Sequence, residues 1–141
     1  MKKSKLFFLS VSIVFFGISL FKDCFCTGEC ANSFLTLIFG ILGIVLGGAN
    51  LCWLANPLLL GSWISFFFNT KVSFVFSLIA SLVSFMFLFA KEVAVDEAGT
   101  PRQIQSLEIG YWLWLISSIV MLVGNSFELL NSKAKTSANS G

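Results

Sequence analysis

No histidine occurs among the 141 residues, so Ser-His-Asp and Cys-His nucleophile systems and imidazole metal ligation are closed to this chain. Charge is nearly as scarce. Nine Lys+Arg and seven Asp+Glu make up 11% of the sequence, against about 25% in ordinary soluble domains. The formal charge of +2 is too small and too dispersed to serve a nucleic-acid surface. Glycines 40, 43, 47 and 48 stand in an apolar run without a neighbouring Lys, which excludes a phosphate-cradling loop and with it nucleotide chemistry. Asp, Glu, Lys and Arg are missing from the middle of every long apolar run, which argues against a proton relay or an ion pathway. No cofactor, metal site or catalytic residue is therefore expected.

What remains is overwhelmingly apolar. Hydrophobic residues are 57% of the chain and 17 residues are Phe, more apolar surface than so few charges can cover in water. The sequence reads as an all-α integral membrane bundle. A crossing needs about 20 apolar residues, and three runs qualify: 6–21 between Lys5 and Lys22, 72–90 between Lys71 and Lys91, and 109–130. The first run follows Lys2, Lys3 and Lys5 like a signal peptide, but Phe21-Lys22-Asp23-Cys24 lacks the small residues of a cleavage or lipoprotein site. It is expected to be retained.

Residues 33–69 hold no charge, and as one helix they would reach about 55 Å, too long for one straight crossing. Gly47-Gly48-Ala49-Asn50 and Asn56-Pro57 are the break signals, Asn as a helix cap and Pro in a first turn. Residues 33–54 crossing with 57–69 on the interface is one folding, but 57–68 has no polar face. Two crossings are another, but 34–48 is too short. The favoured folding makes 34–48 a re-entrant or tilted helix and 50–69 the second of four crossings, kinked at Pro57. Six basic residues (Lys2, Lys3, Lys5, Lys71, Lys133, Lys135) then lie inside and three (Lys22, Lys91, Arg102) outside, as the positive-inside rule requires. Residues 1–130 form a single transmembrane domain, and 131–141 a disordered cytoplasmic tail.

Small residues mark close helix approach in lipid. Gly40, Gly43 and Gly47 form one stripe, Ser73, Ser77, Ser81 and Ser84 another, Gly110, Ser117 and Gly124 a third, and Ser10 with Gly17 a fourth. They serve either packing within the bundle or a seam with a second copy or a membrane partner. Trp53, Trp63, Tyr111, Trp112 and Trp114 read as an interfacial aromatic belt. Asn50, Asn56 and Pro57 mark the helix break, where a ligand site is the other reading.

The first external loop carries Cys24, Cys26 and Cys30. Cys24 and Cys26 are poorly placed for each other, so Cys30 pairs with one of them and Cys52 is available for the odd thiol. A structural disulfide is the leading expectation and a thiol-disulfide oxidoreductase the alternative, although the second loop contributes no cysteine. That second loop, 91–108, carries a turn signal at 96–101 between Val93, Val95 and Ile104, which predicts a small hairpin. Asp96 and Glu97 are adjacent acids on a turn, read as solvated.

Trp53-Leu54-Ala55-Asn56-Pro57 and Gly110-Tyr111-Trp112-Leu113-Trp114 resemble elements of an uncharacterised family of small four-span bacterial membrane proteins, over roughly residues 30–125. The resemblance implies a multi-pass protein of the bacterial cytoplasmic membrane and no activity. The function expected is a non-enzymatic scaffold or accessory subunit, with the oxidoreductase and a small-molecule or lipid transporter component as alternatives.

Overall fold

The computed structural model describes residues 3–96 and 98–139; Lys2, Glu97 and the last two residues of the tail lie outside them. The described residues are about 75% helical. Among them, three helical segments are long and apolar enough to cross a membrane: Gly48–Phe68, Thr70–Phe89 and Ile109–Ala134.

Helix α1 is Lys3–Ser19, strands β1 and β2 are Asp23–Cys26 and Cys30–Asn32, and α2 is Ser33–Gly43. The Asn32 side chain starts α2 by accepting from the Phe34 and Leu35 N–H groups. A 3₁₀ turn, Ile44–Leu46, ends this arm at Gly47 and Gly48, whose φ values of 71° and 60° lie where side chains are disfavoured. A second 3₁₀ stretch, Gly48–Leu54, runs into α3, Ala55–Phe68. Pro57 thus sits in the first turn of α3, at the junction of two helix types rather than at a kink within one helix. Asn69 turns the chain back, its side chain accepting from Lys71 and Val72 N–H at 3.0 and 3.3 Å to cap α4, Thr70–Met86.

The second loop forms the expected hairpin, β3 (Glu92–Ala94) against β4 (Pro101–Gln103). A short strand β5, Ser106–Leu107, then pairs with β1, so that β2-β1-β5 is a three-stranded antiparallel sheet joining the two loops over one end of the helices. These two small sheets depart from a purely α class. Helix α5 runs Ile109–Asn139, so the described part of the expected disordered tail continues as helix. Its Lys133-Ala134-Lys135 stretch is built from good helix formers, which lets the last crossing-length helix propagate.

Helix α1 lies antiparallel along α5. Ser4 Oγ donates to Glu128 Oε1 at 2.6 Å, Phe8 packs on Gly124, and Ser12 meets Ser117. Helices α3 and α4 form a hairpin, and α4 packs against α5. Leu9, Phe16, Leu59, Phe66, Ala80 and Met121 make the apolar core between them. Phe25, Phe87, Val93, Tyr111 and Leu115 make a second core under the sheets.

Candidate functional site

The interior of the bundle carries a polar seam. Ser12 Oγ donates to the Ser117 carbonyl and Ser117 Oγ donates to the Ser12 carbonyl, each at 2.9 Å. Ser62 and Ser73 make the same reciprocal clasp between α3 and α4, at 2.9 and 2.8 Å. Asn125 Nδ2 donates to Ser77 Oγ at 2.9 Å, and Trp63 Nε1 to Ser12 Oγ at 3.0 Å. A hydroxyl in lipid must find a partner, and the opposing helix carbonyl is within reach only where both residues are small.

Most of the small-residue stripes are consumed by this packing. Ser73, Ser77, Ser81, Ser84 and Ser117 are buried inside the bundle. A methyl group at Gly124 would meet Phe8 Cβ at 2.5 Å, and one at Gly110 the Asp23 carbonyl oxygen at 2.5 Å. Gly40 packs under the Trp53 indole and Gly43 against Asn50. Gly47 does not continue the Gly43 stripe: its positive φ ends the helix, and nothing lies within 4 Å of the side chain it lacks. On α1 the seam is made by Ser12 and Ser19, both buried, and not by Ser10, which is exposed, or Gly17, which has open space beside it. A seven-residue spacing found in one helix gives no rotation of that helix toward its neighbour.

The aromatic belt is also revised. Tyr111 is buried and donates to the Ser84 carbonyl at 2.9 Å. Trp53 Nε1 donates to the Leu37 carbonyl, and Trp114 Nε1 to Asn56 Oδ1, both at 2.9 Å. Trp112 keeps an outward position, 44% exposed. Asn56 is buried, with Nδ2 donating to the Trp53 carbonyl at 3.0 Å. It does not cap α3; it fastens the 3₁₀–α junction to α5.

These aromatic and amide anchors border a cavity of about 790 Å³, within the roughly 300–1,000 Å³ of small-molecule sites. One wall is the arm formed by α2 and its 3₁₀ turn, another is the second 3₁₀ stretch with Ala49, Asn50, Cys52 and Trp53. The floor is Asn56, Phe87, Tyr111 and Trp114, and the far rim comes from β1, β2 and 93–96. Polar residues are the minority of the lining, among them Ser33, Thr36, Asn50, Asn56, two free thiols and Asp96.

Cys26 and Cys30 form a disulfide with Cα atoms 4.0 Å apart, tightening the β1–β2 hairpin. Cys24 and Cys52 are free thiols, so the expected use of Cys52 for the odd loop thiol is not realised. Both line the cavity. Cys24 Sγ lies 3.1 Å from the Ala31 carbonyl and 3.4 Å from Thr36 Oγ1. Burial pushes its thiol up from the ordinary value, against a smaller opposing effect of the Thr36 and Ser33 hydroxyls. A neutral, buried thiol is a poor nucleophile. Asp96 is held below the usual carboxylate range, chiefly by the Thr100 N–H, which donates to Oδ1 at 2.8 Å. Among the described residues no group of three His, Cys, Asp or Glu is placed to hold a metal ion.

Sequence reasoning reached Asn50, Asn56 and Ala49 through the helix break, Cys52 as a disulfide candidate and Val93 through the hairpin, but missed Thr36, which carries no motif. No family model, curated protein or solved structure matches the chain.

Proposed function

We propose that the protein is a small multi-pass membrane protein whose cavity binds an apolar or amphipathic molecule at the outer face of the bilayer, as a binding or transport component rather than an enzyme. The observation that carries this reading is the cavity itself: about 790 Å³, walled by apolar side chains and bordered by a few fixed polar groups. The scaffold reading drew on small-residue faces for a partner, and most of those faces pack within the chain, the Ser10 and Gly17 face of α1 staying open. A redox reading would have the Cys26–Cys30 disulfide as its first pair, and the other two cysteines, Cys24 and Cys52, are not joined to each other.

The topology belongs to the same proposal. Helix α1, of 17 residues, is shorter than the three crossing-length segments. It accompanies α5 from Glu128 to Ser117, and the loop after it reaches Gly110 through Asp23. An element lying along a crossing over that whole depth shares its depth, so α1 is the fourth crossing. The arm made by α2 re-enters, both termini are cytoplasmic, and the sheets with the disulfide lie outside the bacterial cytoplasmic membrane, where such a bond persists.

Trp53 and Trp114 on the cavity wall provide the test. A brominated apolar solute is titrated into the full-length protein in nanodiscs, and tryptophan emission is followed. Saturable quenching, lost in Ala49→Phe, is expected. Quenching that rises linearly with solute in the lipid and is unchanged in Ala49→Phe would overturn the reading.

A further inference from the structure

The wall made by α2 has an unusual property for a ligand cavity. Leu35, Phe39, Leu42 and Val45 recur at helical spacing, line the cavity, and remain 53%, 61%, 67% and 89% exposed. The same side chains therefore belong to the cavity and to the outer apolar surface. A cavity for a water-borne solute would close its apolar wall against solvent, whereas this one continues into the surface that meets lipid tails. The occupant best matched to such an opening comes sideways, from the bilayer.

The other end of the cavity supplies the second observation. Asp96 is the one acidic or basic side chain on the lining among the described residues, with Arg102 of the same hairpin near enough to act on it. It stands at the rim on the hairpin, on the side where a lipid head would lie if its chain entered past α2. An ionised carboxylate there attracts an ammonium group and repels the carboxylate of a free fatty acid.

We infer that the cavity takes one acyl chain of a zwitterionic glycerophospholipid from the outer leaflet, with the ammonium of its head beside Asp96. This rests on the binding reading above and adds the identity of the ligand. The chain lies between the α2 stripe and the floor made by Phe87, Tyr111 and Trp114, while the Asn50 amide on the lining offers a hydrogen bond to the ester region. The arm is built to admit it. Its hinge is Gly47-Gly48, and its hold on the bundle includes the hydrogen bond from Trp53 to the Leu37 carbonyl.

Native mass spectrometry of the protein released from nanodiscs of phosphatidylethanolamine with an equal share of phosphatidylglycerol tests the inference. The wild type is expected to retain one phosphatidylethanolamine per chain. Ala49→Phe and Ala94→Phe, which fill the cavity from different walls, are expected to lose it, and Asp96→Asn to lose the preference for ethanolamine over glycerol heads. Helical circular dichroism and an intact Cys26–Cys30 bond identify variants that have folded. Retention of a fatty acid, equal retention of both lipids by the wild type, or no bound lipid would overturn the inference. If the brominated solute still quenches saturably in any of those cases, the binding reading stands without the lipid. If it does not, both fail.

Discussion

Truncating Ser12 to alanine separates the bundle described above from any alternative in which α1 packs by another face. Its hydroxyl donates to the Ser117 carbonyl at 2.9 Å and accepts from Trp63 Nε1 at 3.0 Å. Hydrogen bonds between membrane helices average about 0.6 kcal/mol, because the separated helices also find partners. Two of them give about 1.2 kcal/mol for Ser12→Ala, roughly an eightfold change in the folding equilibrium. Ser117→Ala removes the bond it donates to the Ser12 carbonyl and its longer 3.2 Å contact with Ser12 Oγ, so a smaller cost of about 0.6 kcal/mol is expected. Ser10 is exposed two residues away, and Ser10→Ala is expected to change nothing measurable. The assay is reversible unfolding in mixed micelles, followed by circular dichroism for the three variants alongside the wild type. A cost for Ser10→Ala equal to that of Ser12→Ala, or no cost for Ser12→Ala, would refute the clasp and the rotation of α1 that it fixes.

A Cβ at Gly110 meets the backbone oxygen of Asp23 at 2.5 Å, which cannot swing away, so Gly110→Ala is expected to destabilise by about 1–3 kcal/mol. Gly17→Ala, with nothing within 4 Å, is expected to be neutral in the same assay. Gly47 combines φ 71° with ψ −158°, a region reserved for glycine, and Gly47→Ala is expected to cost about 1–3 kcal/mol in that assay. Without reductant, a small permeant maleimide read by mass spectrometry is expected to modify Cys24 and Cys52 and leave Cys26 and Cys30 untouched until the bridge is reduced. Burial raises the Cys24 thiol above its ordinary 9.0, so the neutral form dominates below that pH. Its alkylation in a Cys52→Ser variant is expected to lag an exposed peptide cysteine at pH 8 and to be still climbing above pH 9; matching rates would show that Cys24 is not buried.

What the sequence discloses here follows the range of the forces involved. Asn69, Gly47-Gly48 and the turn before Pro101 act through their own backbone within a few residues, so the breaks and the hairpin are legible in one window. The apolar runs at 50–69, 72–90 and 109–130 are legible for the same reason, because crossing length is a local count. Helix α1 shows where this stops: Ser10 and Gly17 satisfy the spacing rule as well as Ser12 and Ser19 do, and only the position of Ser117 on another helix decides between them. The tryptophans fail in the same manner. An indole at a helix end suits an interface, yet Trp53, Trp63 and Trp114 turn inward because Leu37, Ser12 and Asn56 offer acceptors there. Cys26 and Cys30 are drawn together by a hairpin that the loop sequence hints at, whereas the fate of Cys52 depends on where the fold sets the second 3₁₀ stretch relative to β1. The cavity is the extreme case. It is the space that side chains from several separated stretches leave unfilled, so its signal lies in no residue's presence, and Ala49 or Ala94 marks it only by being small where the fold has already placed it.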